Sequence, residues 1–343
     1  MSRKSILLVI MCLISLAVEA QQIAQFTQYY INPYIINPAA SGLTKTISVD
    51  LGFRKQWMGI QDSPQTIYGT IHSQIGFDKR DKTLDDFNPN KDFIYSSPLN
   101  SVGVNKHVVG ASIYNDQIGP FRETNVMASY AVHIRFALET MLSFGVSAGY
   151  SNFGIYSSKI LLLQQDDSRY DDFLTKNANQ SLFDMNAGIV FYAKRFQLGI
   201  SSMHLVGNKI KLADISSLSK YGRHWFIYGM YNIPFQSSKI SLEPHFMFQL
   251  MKHAPLSMNL GARIHIDRKY WVNLGYRLQD AISIGAGLNF GNFVRLGYSY
   301  DIAIGKVQRV SNMVHEITLG FTFGSKRVVQ LDSPIDENNQ LDE

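Results

Sequence analysis

Three short motifs contain residue types that catalytic or phosphate-binding sites use, and each lacks part of the required pattern. His315-Glu316 has no second histidine four positions after the first, as the helix of a zinc protease requires. Gly285-Ala286-Gly287 continues into strand-type residues, so no helix follows that would bind a dinucleotide pyrophosphate. Gly305-Lys306 lacks the upstream glycine and the following Ser or Thr of a phosphate-binding loop. We therefore expect no cofactor and no metal site.

Acyl-transfer chemistry is a weaker possibility, because it needs a Ser, a His and a carboxylate or amide in contact. Four residues are candidates by strand face alone, and these are Ser129, His133, Glu243 and His245. The sequence does not fix the distances between them. We expect a protein that is not an enzyme, with a barrel hydrolase as a third hypothesis.

The elements that carry these residues alternate between apolar and polar positions. Near the start, Leu51 and Phe53 share one face, while Asp50 and Arg54 share the other. The same alternation recurs near residues 126–136, 142–151, 242–250, 258–266, 282–290 and 317–323. The pattern predicts β-strands with one apolar face and one polar face.

The length and chemistry of these strands favour a membrane barrel over a soluble sandwich. They run about nine to eleven residues, the length of a tilted membrane strand, whereas soluble strands average about five or six. Their polar faces are rich in Gly, Ser and Asn, and their apolar faces often end in aromatic residues. Every backbone group in hydrocarbon must be paired, which a closed sheet achieves. We predict an all-β fold, a transmembrane antiparallel β-barrel of about 14 strands, with 12 or 16 as alternatives.

Charged residues on the polar faces are expected to form ion pairs that fill the lumen. They could also set the selectivity of a pore. The residues in this set are Asp50, Arg54, Glu243, Arg263, Arg295 and Asp301.

The overall composition excludes several classes of protein. The chain has 343 residues, 45% of them hydrophobic and 17% charged, which excludes low-complexity disorder. Its formal net charge of +5 includes no long run of like charge, so no nucleic-acid partner is expected. The single cysteine, Cys12, lies in the N-terminal apolar stretch, so the mature chain would contain no thiol.

The two ends of the chain differ from the alternating region. Residues 1–20 have a basic start and an apolar stretch too short to span a bilayer, which predicts a signal peptide cleaved before Gln21; a retained anchor is the alternative. Residues 21–44 contain two Asn-Pro pairs, which exclude a mid-strand position and predict a plug or collar, or a simple lead-in. We expect the barrel over 45–323 and an acidic, flexible tail over 324–343.

Loop lengths predict the two sides of the barrel but leave one conflict. Short links such as 194–195 and 267–269 are expected on the periplasmic side. Three long polar stretches are expected outside, and they are 78–101, 157–182 and 206–223. The strand count nevertheless places 78–101 opposite 206–223. Either a strand near 84–104 is missing from the count or one long link is periplasmic.

Several motifs resemble those of one protein family. They are Gln25-Phe26-Thr27-Gln28-Tyr29-Tyr30, Asn32-Pro33, 36–42, Arg54-x-Gln56-Trp57-x-Gly59, Pro64-x-Thr66, His72, 114–120, Glu243-Pro244, Tyr276-Arg277, Asp280-Ala281, 297–301 and His315-Glu316-Ile317. This pattern, spread across nearly the whole mature chain, resembles the PorP/SprF family, the type IX secretion and gliding-motility outer-membrane proteins of Bacteroidetes. Two departures are small: Asp62-Ser63-Pro64 stands where Gly-Ala-Pro is usual, and Ala40-Ser41-Gly42 where Tyr-Ala-Gly is common.

The resemblance implies a non-enzymatic outer-membrane barrel that helps secrete or anchor surface proteins. Its partners would be adhesins or other cargo with a C-terminal secretion domain, other type IX components and outer-membrane lipid. The residues predicted to contact a partner are Arg54, Gln56, Trp57, Asp116, Arg277 and Asp301. Trp57 would either anchor the membrane interface or stack on a partner. The alternative function is a passive porin for small solutes.

Overall fold

A computed structural model gives the chain as a closed, antiparallel β-barrel of fourteen strands. The described residues are 25–43, 47–75, 103–137, 140–160, 179–210, 219–220, 222–235, 239–252, 254–267, 269–291, 293–304 and 313–323. The predicted signal peptide, the predicted tail, the Gly305-Lys306 motif and much of the long links lie outside them.

The strands follow one another around the barrel in chain order. The first seven are β1 Ile47–Gln56, β2 Gln65–Ile75, β3 Gly103–Ile118, β4 Phe121–Ala137, β5 Thr140–Ile155, β6 Asn179–Ala193 and β7 Phe196–Met203. The other seven are β8 His224–Tyr231, β9 Ile240–Met251, β10 Ser257–Ile266, β11 Tyr270–Arg277, β12 Ala281–Phe290, β13 Val294–Ala303 and β14 Met313–Phe323.

Each strand pairs antiparallel with the next, and the first pairs with the last. The closing pair of β1 and β14 runs from Ile47 opposite Phe323 to Gln56 opposite Val314. Ile233–Pro234 continues beyond β8 along the edge of β9. A short two-stranded pairing of Lys209–Ile210 with Ser219–Lys220 is separate from the barrel. The predicted all-β barrel and its fourteen strands are confirmed.

The two faces of the strands separate as the alternation predicts. In β11, Val272 and Leu274 are 48% and 61% exposed on the outside, whereas Trp271 and Asn273 are buried inside. In β1, Leu51 faces outward and Asp50 inward. The outer surface therefore offers an apolar band to lipid, as an outer-membrane barrel requires. No helix among the described residues is long and apolar enough to cross a membrane.

The two ends of the barrel can be named by their links. At the loop end, the links 156–178 and 204–223 join β5 to β6 and β7 to β8. At the tail end, β14 finishes at Phe323 and the link 194–195 makes a tight turn. β2 ends at the tail end, and the antiparallel strand β3 begins there, so the link 76–102 joins the two strands at the tail end. The expectation that all three long links share one side is therefore wrong, and one long link lies at the opposite end.

Candidate functional site

The lumen of the barrel is occupied by the chain's own N-terminal segment, residues 25–43. Most side chains of this segment are buried, and Asn37, Ala39 and Ser41 have no exposed surface. Its aromatic and aliphatic residues pack with inward side chains of the wall, such as Tyr68 and Phe226, in one hydrophobic cluster. The barrel therefore has a packed interior rather than an open lumen.

The two Asn-Pro pairs shape this segment into short turns. Pro33–Ile35 and Pro38–Ala40 are single 3-10 turns, each with a proline where no backbone donor is required. Asn37 caps the second turn, because its Oδ1 accepts from the Ala39 N–H at 2.9 Å. Its Nδ2 donates to the carbonyl oxygens of Ile189 and Ile200 at 3.2 and 3.3 Å. The same side chain thus ends the turn and attaches it to β6 and β7.

Glycines in the wall allow this close approach. A Cβ added at Gly145 would lie 2.3 Å from the backbone nitrogen of Ala39. Within the segment, Gly42 has φ +69°, a conformation that other residues rarely adopt. The wall and the segment are therefore fitted to each other at the level of the backbone.

The segment runs the length of the lumen. At the loop end, Gln25 Oε1 accepts from Arg277 Nη1 at 3.2 Å. Near the tail end, the Gly42 N–H donates to His72 Nδ1 at 3.0 Å, and Lys106 Nζ donates to the Gly42 carbonyl. The chain therefore crosses the barrel from the loop end to the tail end before β1 begins.

At the loop end, four buried charged residues form a group that we call the clamp: Arg54, Arg277, Asp301 and Glu316. Arg54 lies 3.0 Å from both Asp301 and Glu316, and all three side chains are 1% exposed or less. Arg277 lies 3.4 Å from Asp301. Two guanidinium groups thus face two carboxylates, which compensates the buried charge.

The clamp binds the start of the N-terminal segment through its polar atoms. Glu316 accepts from the backbone N–H groups of Thr27 and Gln28 at 2.8 and 3.2 Å. The Thr27 hydroxyl donates to Asp301 at 2.7 Å and accepts from Arg54 and from Arg277. The segment therefore satisfies hydrogen bonds that the four charged residues would otherwise lack.

The middle of the segment is attached through its tyrosines and an asparagine. Tyr34 is hydrogen-bonded to Ser129 Oγ at 2.6 Å. Tyr29 is hydrogen-bonded to His245 Nδ1 at 2.7 Å. Asn32 Nδ2 donates to Thr70 at 2.9 Å. These bonds join the segment to three different strands, β2, β4 and β9.

A second group of buried charges lies on the wall alone. This β9–β10 cluster consists of Glu243, Arg263 and His265, with an ion pair between the first two. Its link to the N-terminal segment is Arg263, whose guanidinium lies 4.9 Å from the centre of the Tyr30 ring. In the described part of the chain, Arg263 Nε has no hydrogen-bond partner, and Glu243 Oε2 lies 3.5 Å from His265 Nε2.

The structure brings together three of the six residues predicted to contact a partner. Arg54, Arg277 and Asp301 belong to the clamp. Gln56 and Trp57 lie half-buried at the loop end, where Trp57 begins the link to β2 with φ 52°. Asp116 lies apart on β3 and accepts a hydrogen bond from Thr66. The six residues therefore do not form one site.

Sequence reasoning missed Glu316 as a member of the clamp, and it missed Thr27 and Gln28 as the residues that Glu316 binds. A signal for Glu316 was present, because it shares the inward face of β14 with Thr318 and Thr322. The inward charges expected to form ion pairs do so, and Arg295 with Asp50 gives a further pair at 2.7 Å.

The four hydrolase candidates are used in separate contacts. Ser129 bonds Tyr34, and His245 bonds Tyr29 and Asn273. The His133 ring is hydrogen-bonded to the Tyr192 hydroxyl and to the Ser41 carbonyl, while Glu243 pairs with Arg263. None of the hydrogen bonds described for these residues joins one candidate to another, so the structure does not assemble a Ser-His-carboxylate set.

Comparison with known structures gives barrels of the outer membrane. The Acinetobacter baumannii outer-membrane protein Omp33 is 7% identical, with 82% of this chain and 100% of that one covered and a TM-score of 0.44. The Ralstonia pickettii toluene transporter TbuX is 9% identical, with 84% and 92% covered and a TM-score of 0.47. No curated protein matches the chain.

A family profile covers most of the sequence. The profile described as "Type IX secretion system membrane protein PorP/SprF" matches residues 18–321. That range includes the segment inside the barrel and the whole barrel except the last two residues of β14. This is a family of secretion-system membrane proteins and not of enzymes. The chain belongs to the PorP/SprF family of type IX secretion system membrane proteins.

Proposed function

We propose that this outer-membrane barrel helps to secrete or anchor surface proteins that carry a C-terminal secretion domain. The observation that carries the proposal is the filled lumen: residues 25–43 cross it and are bound at both ends. A barrel filled in this way offers no open path for small solutes, which argues against the porin alternative. Its free surfaces for a partner are then the rims, the links and the outer wall.

The orientation and processing of the chain form part of the same proposal. Residues 1–20 act as a cleaved export signal, and the loop end faces the cell exterior. An epitope inserted in the link 161–178 should then be accessible on intact cells. An epitope at the C-terminus should be accessible only after the outer membrane is permeabilised. The opposite pattern would reverse the orientation.

The partner role is tested by a mild-detergent pull-down of the tagged protein from its native envelope, followed by mass spectrometry. We expect a large surface protein with a C-terminal secretion domain, together with other type IX components. An unrelated tagged outer-membrane barrel, purified in the same way, controls for proteins that co-purify with any barrel. Recovery of the protein alone, with ion conductance in a planar bilayer, would replace this proposal with the porin.

A further inference from the structure

One side of the barrel is taller than the other. Strands β3 to β6 are 15 to 17 residues long, whereas the other ten strands have 8 to 12 residues. We call the loop-end part of these four strands the wall extension; it comprises residues 114–118, 121–125, 151–155 and 179–184. A strand that long exceeds the roughly nine to eleven residues that cross a bilayer.

The outward face of the wall extension is polar. Asn115 donates to Thr124 at 2.7 Å, and Asn152 donates to Ser181 at 2.9 Å. Arg122 on the same face donates to Asn179 at 2.9 Å. Polar ladders of this kind do not face hydrocarbon, so the wall extension stands above the apolar band, in water or among headgroups.

At its top, the inward face of the wall extension carries apolar side chains, whereas a surface in contact with water is usually polar. Ile118 and Phe121, which flank the tight turn at its top, are 45% and 43% exposed. Phe153 stacks on Phe121, with ring centres 6.0 Å apart. These three side chains form the wall patch, which overlooks the loop-end mouth of the filled lumen. Two exposed apolar side chains packed beside the half-buried Phe153, facing neither lipid nor a packed core, are typical of a binding surface.

Two carboxylates lie beside the wall patch on the inward face, while the nearby cations Arg122 and Lys159 lie over the Tyr156 ring. The carboxylates belong to Asp116 and Glu123, and their neutral hydrogen-bond donors are the hydroxyls of Thr66 and Tyr114. Among the described residues, no Lys or Arg forms an ion pair with either carboxylate. The clamp differs, because each of its carboxylates faces a guanidinium. Glu123, which is half-buried, is therefore the wall carboxylate that a cation from outside the chain can reach, and the buried Asp116 adds negative charge behind it.

We propose that the wall patch binds a segment of the cargo's secretion domain in which apolar side chains flank a Lys or Arg. Apolar side chains of the segment pack on Phe121, Phe153 and Ile118, and its cation pairs with Glu123. This inference rests on the proposed function, since it names the surface that the anchored protein contacts. A partner with an acidic segment is disfavoured, because its carboxylates would face those of the wall.

The test uses the full-length protein in detergent and, as probe, the purified C-terminal domain of the surface protein recovered in the pull-down. Its dissociation constant is measured for the wild type and for Phe121→Ser and Glu123→Lys. We expect each substitution to weaken binding roughly tenfold or more, as loss of a central contact does. Raising the salt concentration from about 50 to about 500 mM should weaken binding to the wild type, because salt screens the ion pair. The same change should weaken binding to Glu123→Gln less, since that variant lacks the carboxylate.

Gln117→Lys is the matched control, because it places a lysine at the same height on the outward face. It should bind within about twofold of the wild type. Heat-dependent gel mobility verifies that each variant is folded. If Phe121→Ser does not fold, Phe121→Leu replaces it, because leucine is smaller than phenylalanine but still apolar. If folded Phe121→Ser and Glu123→Lys bind the domain with wild-type affinity, this inference is wrong and the proposed function stands. A wild-type protein that fails to bind the domain overturns the proposed function and this inference with it.

Discussion

The clamp and the β9–β10 cluster are two groups of buried charges on the same inner surface, and they differ in how they are satisfied. In the clamp, Glu316 and Asp301 receive donors from both arginines and from Thr27 of the N-terminal segment. In the β9–β10 cluster, Glu243 pairs with Arg263 and lies 3.5 Å from His265 Nε2, and none of the hydrogen bonds described for it comes from the N-terminal segment. Both groups keep buried atoms without a hydrogen-bond partner in the described structure, among them Arg54 Nε, Asp301 Oδ1 and Arg263 Nε, so the groups differ in whether the segment donates to them.

This difference teaches what the segment does. A buried ion pair stabilises a fold only when further hydrogen bonds satisfy its remaining donors and acceptors. The clamp receives such hydrogen bonds from Thr27 and Gln28 of the segment, and the β9–β10 cluster receives none from it in the described structure. We infer that the segment stabilises the folded barrel through the buried charges at the loop end.

The largest effect is expected for Arg54→Met. The change leaves the Asp301 and Glu316 carboxylates buried without their shared cation, so we expect the free energy of unfolding to fall by about 3–5 kcal/mol. Urea unfolding in phospholipid vesicles measures this loss. Arg295→Met is the control, because Arg295 pairs with Asp50 but is 32% exposed and lies outside the clamp. Equal losses in the two variants would contradict the special role of the clamp.

A smaller loss is expected for Thr27→Val. Valine keeps the shape of threonine but removes the hydroxyl that donates to Asp301 and accepts from two arginines. We expect a loss of about 1–3 kcal/mol, the range for buried groups left unpaired. Thr27→Ser keeps the hydroxyl and should retain most of the stability. If both variants were equally unstable, packing of the methyl group and not the hydrogen bonds would hold the segment.

Two tyrosines of the segment provide a finer comparison. Tyr34→Phe removes a hydroxyl bonded to Ser129, and we expect it to lower the free energy of unfolding by about 1 kcal/mol. Tyr30→Phe removes a buried hydroxyl for which the described structure shows no partner, so its effect should be close to zero. The same urea titration distinguishes the two. A loss for Tyr30→Phe as large as that for Tyr34→Phe would reveal an ordered water at Tyr30.

The smallest effect is expected when the β9–β10 ion pair is replaced as a unit. The double variant Glu243→Met with Arg263→Met removes both charges together with their unpaired atoms. Such replacements are often neutral or stabilising, so we expect a change within about 1 kcal/mol of zero. The single variant Arg263→Met, which leaves Glu243 buried and unpaired, should be less stable than the double variant. The reverse order would show that the cluster is as well satisfied as the clamp.

Much of the fold follows from the period of two in the strands. That period places Arg54 and Asp301 on the inner face. Each alternating run of residues ends in turn residues, so counting the runs gives the fourteen strands. The sides of the long links did not follow from length, because the link 76–102 joins neighbouring strands at the tail end. Length alone does not determine the side on which a link lies.

The clamp itself was beyond prediction from local pattern. Thr27 and Glu316 are 289 positions apart, and their contact depends on the closure of β1 against β14 and on the path of the segment inside. The Asn-Pro pairs excluded a strand over residues 32–38 but did not indicate which wall residues the turns would meet. Contacts of this range require the register of the closed barrel.

The central claim is that the N-terminal segment closes the lumen, and ion conductance tests it most directly. The purified mature protein is inserted into a planar lipid bilayer, and single-channel current is recorded beside a general porin treated in the same way. We predict that the wild type inserts without stepwise ion conductance. Stable open-channel steps from the wild-type protein, comparable with those of the porin, would contradict the claim.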